Sequence, residues 1–235
     1  MGDQVFRRST LALISAALLV SLGAVHADAA SGDPRLQRLA QAQTELLLRT
    51  FNDKNLTGPA NCSQGQDPKG FRGVYLLPTL LLTSNVPFAS RTFTCHVKAG
   101  SVLVDRFGVV VSEDNNNQPY VASTGEEIPF DRGRLEDICD DVLPFLPTLP
   151  ATVDGRPIPD EPGVSTHEFI ATVNHNSGPA YFGESRDLGH PGKLATAYCG
   201  HKTEVPLGPG HHVITVDFGF LGVEDALFTY NITVK

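Results

Sequence analysis

The residues best equipped for chemistry lie in two stretches near the C-terminal end of this 235-residue chain. The first, VNHNSGPAYFGESRDLGHPGK (173–193), gathers His175, Tyr181, Phe182, Ser185, Arg186, Asp187 and His190. The second, YCGHKTEVPLGPGHHVITVDFGF (198–220), adds Cys199, His201, His211 and His212. A serine hydrolase would need a nucleophile on a sharp strand-to-helix elbow. Gly183-Glu184-Ser185-Arg186-Asp187 lacks the last glycine of that elbow, and triad members normally come from separate elements. A metal site would need ligands that converge. His211 and His212 are adjacent, and neighbours on a strand face opposite ways. Cys199-Gly200-His201 matches no standard zinc spacing. The second stretch therefore reads as a β-hairpin turning at Pro206-Leu207-Gly208-Pro209-Gly210. The first reads as a long loop whose Tyr181-Phe182 pair is suited to stacking on a sugar or peptide, since long loops on rigid frames disproportionately carry function. Its ligand-binding candidates are His175, Tyr181, Phe182, Arg186, Asp187 and His190.

The elements that would position these stretches are mostly strands. RTFTCHV sets Phe93, Cys95 and Val97 against Thr92, Thr94 and His96. SVLVDRFGVVVS is apolar on both faces, as in a central strand. STHEFIATV groups His167, Phe169, Ala171 and Val173, which places His167 in a buried row. HHVITVDF groups His212, Ile214, Val216 and Phe218. ALFTYNITV sets Ala226, Phe228, Tyr230, Ile232 and Val234 against Leu227, Thr229, Asn231 and Thr233. Two helices stand out. DPRLQRLAQAQTELLLRTF has Asp33 as cap, Pro34 in the first turn and an apolar stripe of Leu36, Leu39, Ala40, Leu46 and Leu47. DRGRLEDICDDVLPFL aligns Leu135, Ile138, Cys139 and Val142 and stops at Pro144; its Asp137, Asp140 and Asp141 read as the wet face. Residues 144–163 contain six prolines and an Asp154-Gly155 turn, which reads as an extended connector with a small hairpin. The expected fold is mainly β, an antiparallel β-sandwich of Ig-like or jelly-roll-like type with an N-terminal helix and one inserted short helix.

Residues 1–27 read as a cleavable export signal. Arg7 and Arg8 precede the apolar run Leu11–Val25, and Val25-His26-Ala27 supplies small residues for cleavage. That run is too short to span a bilayer, so the mature chain is expected to carry no membrane span. Residues 28–58 then form a helical arm and 59–235 the β-sandwich domain. The chain carries a formal charge of −8 with no basic cluster, which argues against nucleic acid as a partner. Four cysteines in an exported chain imply two disulfides. Three pairings are open. Sequential pairing, Cys62–Cys95 with Cys139–Cys199, crosses the fewest other elements and is the one expected. Glu113, Asp114 and Asn115 to Asn117 lack the pattern of a calcium loop. Asn55, Asn61 and Asn231 sit in glycosylation sequons.

The order NCSQGQ, GVYLLP, RTFTCHVKAGSVLV, ATVDGRPI, VPLGPGHHVITVDFGF and LFTYNITV resembles an uncharacterised family of exported bacterial β-rich proteins with a terminal Pro-Leu-x-x-Gly-x-His hairpin. The resemblance implies export and a β fold and carries over no catalytic residue. The sequence thus leads to an exported, non-catalytic binding or structural module of the cell envelope or medium. Its expected contact surface is the 173–193 loop with the neighbouring turn, its ligand a carbohydrate or a protein, and no cofactor is called for. The alternative is a hydrolase or metal-dependent enzyme acting on an extracellular polymer through His175, Asp187, His190 and His211.

Overall fold

A computed structural model of the chain describes residues 33–50, 71–78, 90–113, 119–121, 134–172, 193–218 and 227–235. The expected leader, Cys62 and positions 173–192 lie outside them. The backbone of the architecture is one long antiparallel ribbon, β3 (Gly100–Glu113) with β9 (Lys193–Leu207). Around it form β1 (Val74–Leu76), β4 (Pro119–Val121), β7 (Val164–Ser165) and β8 (Phe169–Thr172), giving a six-stranded sheet with path β1-β3-β9-β7, in which β4 adds to β3 and β8 to β9. The second sheet runs β2 (Arg91–Val97), β11 (Leu227–Val234), β10 (Gly210–Asp217), β5 (Ala151–Val153), β6 (Arg156–Pro157).

Alternation along β9 decides what covers each face of the first sheet. Leu194 and Tyr198 pack with Ala40, Leu47 and Leu48 of α1 (Pro34–Thr50). Val205 and Leu207, on the other face, join the core shared with the second sheet, which includes Phe93, Ile214, Val216, Phe228, Tyr230 and Ile232. Further back on that same face, Ala197 and Cys199 pack against Leu135, Ile138 and Val142 of α2 (Leu135–Val142). One face of the sheet therefore carries α1, and the other carries the second sheet at one end and α2 at the other. Aromatic contacts consolidate the inter-sheet core, with Phe93 stacked on Tyr230 at 5.0 Å.

The helices form where their stripes predict. The Arg35 amide donates to Asp33 Oδ1 at 2.9 Å, so Asp33 does cap α1. Cys139 and Cys199 are disulfide-bonded with Cα atoms 5.1 Å apart, which ties α2 to β9. Cys95 is oxidised as well; Cys62, its expected partner, lies outside the described residues.

Two expectations need correction. The sheets are mixed rather than antiparallel: β1 runs parallel to β3 and β2 runs parallel to β11. Parallel neighbours need a long connection, and here β2 separates β1 from β3 in sequence while nearly the whole domain separates β2 from β11. Alternation reports which face a residue takes, and it is silent on the direction of the partner strand. The second correction concerns 198–220. β9 and β10 do not pair; they belong to different sheets, and Gly208-Pro209 is a corner between layers. Val205 and Leu207 face Ile214 and Val216 across the core instead of lying beside them. Gly210, at φ 134°, takes a backbone conformation that other residues rarely adopt. The partner of β10 is β11, paired along its whole length from Gly210–Val234 to Asp217–Leu227.

Candidate functional site

The histidines of the 198–220 stretch go to three different places. His201 Nε2 lies 3.1 Å from the Leu146 carbonyl. His211 projects from the outer face of the second sheet, with Nδ1 3.1 Å from Thr233 Oγ1. His212 sits at the rim, where the β9–β10 corner meets the β5–β6 turn. Its Nδ1 lies 2.8 Å from Asp154 Oδ2 and its Nε2 2.9 Å from the Gly208 carbonyl. Both ring nitrogens thus face acceptors, an arrangement that only the doubly protonated ring satisfies. The hydrogen bond to Asp154, followed by that to Gly208, raises the His212 pKa. The hydrogen bonds from His212 and from the Val213 amide lower that of Asp154. The turn itself is of primed type, with Asp154 at φ 52° and Gly155 at φ 75°. Val153, Asp154, Arg156, Pro206, Leu207 and His212 line a cleft of about 330 Å³ at this rim. With both nitrogens engaged by Asp154 and the Gly208 carbonyl, His212 is a clamp between two turns.

His167 was expected in a buried row and is exposed. β8 begins at Phe169, so the alternation does not extend back to it, and its Nδ1 lies 3.1 Å from Glu136 Oε2 at the start of α2. Among the described residues, no three His, Cys, Asp or Glu side chains converge as metal ligands. The expected ligand-binding residues His175, Tyr181, Phe182, Arg186, Asp187 and His190 all lie outside the described residues, as does Ser185. Their stretch leaves from Thr172 and returns at Lys193, a registered pair of β8 and β9.

Sequence reasoning missed the densest polar cluster, which is buried between α1 and the first sheet. Lys202 Nζ lies 3.0 Å from Asp105 Oδ2, donates to Gln43 Oε1 at 2.7 Å and faces the Tyr198 ring at 4.1 Å. Tyr198 Oη donates to Asp105 Oδ1 at 3.0 Å. Gln43 Nε2 in turn donates to the Leu77 carbonyl at 2.9 Å. Lys202 and Gln43 are each 1% exposed and Tyr198 3%. Burial lowers the Lys202 pKa against the opposing pull of Asp105, and burial, then the Asp105 charge, raises that of Tyr198.

A β-bulge builds this cluster. Asp105 pairs with Lys202 and Gly108 with Gly200, so Arg106 and Phe107 oppose the single residue His201. Phe107 takes φ 122°, a strained value for a non-glycine residue. Gly108 and Gly200 are cross-strand partners, and a Cβ on either would collide with the Tyr198 phenol. Their bareness lets the ring lie along the sheet and reach Asp105. On the opposite face Arg106, 2% exposed, donates to the Leu149 and Pro159 carbonyls at 2.9 Å and pairs with Asp160 at 2.7 Å. It fastens the proline-rich segment to the bulge. An isolated glycine within a strand pattern signals a bulge or a close backbone approach, and Gly108 and Gly200 were that signal.

The outer face of the second sheet presents registered rows of exposed side chains, bordered at one end by the exposed Asp217–Leu227 pair. Registered rows run Thr152-Thr215-Thr229-Thr92, Val213-Asn231-Thr94 and His211-Thr233-His96. All are exposed or half-buried, and none is Asp, Glu, Lys or Arg. Thr152 and Thr215 share a hydroxyl hydrogen bond of 2.8 Å. A scan against family models and searches of curated proteins and of solved structures found no match for the chain.

Proposed function

We propose that the protein is an exported, non-catalytic binding module whose contact surface is the threonine-rich face of the five-stranded sheet, and that its ligand is an uncharged polysaccharide of the envelope or medium. The observation that carries this is the three registered rows, free of formal charge on a chain with 26 acidic residues. Threonine hydroxyls and the Asn231 amide both donate and accept hydrogen bonds, as sugar hydroxyls do. The strands repeat the side chains about every 6.7 Å along and about 4.8 Å across, a lattice suited to an extended repeating chain. Export is supported by the leader-like first 27 residues and by the Cys139–Cys199 bond, since such bonds persist in oxidising compartments. Membership of the exported β-rich family remains part of this proposal. The two packed sheets are sandwich-like, and the parallel pairs β1–β3 and β2–β11 depart from the antiparallel sheets of both the Ig-like and the jelly-roll forms.

The test is co-sedimentation of residues 28–235 with insoluble cellulose, chitin and curdlan. Retention by one of them, lost at least tenfold in Thr229→Lys at unchanged melting temperature, is expected. Retention by none, or equal retention of the variant, overturns the reading.

A further inference from the structure

We propose that Lys202 and Asp105 condense into an intramolecular amide, a covalent rung between β9 and β3. The proposed binding face makes no use of the buried cluster, yet the cluster has what such a reaction needs. The two residues are direct cross-strand partners. The amine nitrogen lies 3.0 Å from a carboxyl oxygen, so a bimolecular condensation has become a positioned unimolecular one. Lys202, Gln43 and Tyr198 are almost wholly shielded and the Asp105 side chain is 13% exposed, which restricts the water that would reverse the reaction. Two further groups are aimed at the reacting atoms: the Gln43 carbonyl accepts from Nζ, and the Tyr198 hydroxyl donates to Asp105 Oδ1.

The step balances without a co-reactant. In the first step one ammonium proton passes across the 3.0 Å contact to Asp105 Oδ2, giving an amine beside a carboxylic acid, a transfer that the burial of Lys202 favours. The Nζ lone pair attacks Cγ, and negative charge develops on Oδ1. Tyr198 Oη–H is already directed at that oxygen, the role of an oxyanion donor. The Cγ–Oδ2 bond then breaks. Oδ2 takes a second proton from Nζ and departs as water. An amide N–H remains, which continues to donate to Gln43 Oε1. Nothing is oxidised or reduced.

The experiment is the intact mass of the mature chain with its disulfides reduced, followed by proteolysis. The expected result is a mass one water below the sequence value and a branched peptide joining the Asp105 and Lys202 segments. Lys202→Arg keeps the charge but has no amine to condense, and should return the full mass. Tyr198→Phe should slow appearance of the deficit at least tenfold after synthesis. A wild-type mass equal to the sequence value overturns the proposal, and that reading does not depend on any variant folding. So does a one-water deficit that persists in Lys202→Arg or maps elsewhere. An unchanged rate in Tyr198→Phe overturns the oxyanion role.

Discussion

Two carboxylate–cation pairs join strands in this structure: Asp105 with Lys202, the ion pair from which the proposed amide would form, and Asp154 with His212. Their distances are nearly equal, 3.0 and 2.8 Å. Their surroundings are not. Lys202 is closed in by α1, the Tyr198 ring and a glycine-floored strand pair, whereas the Asp154 side chain is 47% exposed at the rim. Water decides the difference. A buried charge that loses its partner is left uncompensated, while a rim charge is rehydrated. The same pairing of opposite charges therefore serves as a keystone in one place and an adjustable clamp in the other.

The contrast breaks most visibly at Lys202. Measured against the chain in which the pair is still ionic, Lys202→Ala should lower unfolding free energy by about 3–5 kcal/mol, because the mostly buried Asp105, 13% exposed, is left without its counter-charge; denaturant titration of the variant measures this. A loss no larger than that of a rim substitution would show that water reaches the cluster. Removing the disulfide with Cys139→Ser and Cys199→Ser together should cost about 2–4 kcal/mol, since α2 is then held to β9 by apolar packing alone. Gly200→Ala should cost about 1–3 kcal/mol, as the added methyl displaces the Tyr198 phenol and meets the Gly108 backbone. A thermal melt compared with that of Gly208→Ala, where the added methyl has open space and the backbone is not in the positive-φ region, separates crowding from the loss of a glycine's backbone freedom.

The smallest effect sharpens the comparison from the other side. His212→Ala should cost no more than about 1 kcal/mol, as expected of an exposed pair. Its pH dependence is the more telling readout. The folded pKa of His212 is raised, so its contribution is complete below the unfolded value of about 6.5 and fades as pH climbs through the folded value. The folded pKa of Asp154 is lowered, so its contribution is present above about 3.9 and fades as pH falls through the folded value. The wild type should exceed His212→Ala in stability most between about pH 4 and 6.5, and the gap should close at alkaline pH. A gap that stays constant from about pH 5 into the alkaline range would remove charge from the clamp.

What was legible in the sequence follows the reach of each signal. The α1 stripe, the alternation in β2, β10 and β11, and the face of α2 are local patterns, and side-chain periodicity reports them directly. Sequential pairing led to the Cys139–Cys199 bond. The parallel pairings and the β9–β10 corner depend on where a distant strand comes to lie, which no local period encodes. Lys202 was hidden for a related reason. In HKTEV it reads as the outward residue of a half-wet strand, and only α1, contributed from far upstream, makes that face dry. Asp105 and Arg106 break an apolar run in opposite directions, and it takes the bulge to send one toward α1 and the other toward the proline-rich segment.

The ribbon of β3 and β9 belongs to two cores at once, one under the second sheet and one beneath α2, with α1 along its other face. Amide protons along it are consequently shielded by whichever end remains closed. Partial opening of the sandwich end exposes β10 and β11 to exchange while the ribbon stays protected by its helices. Deuterium uptake should then separate the molecule into an outer sheet that exchanges through local excursions and a ribbon that exchanges only when the whole chain unfolds.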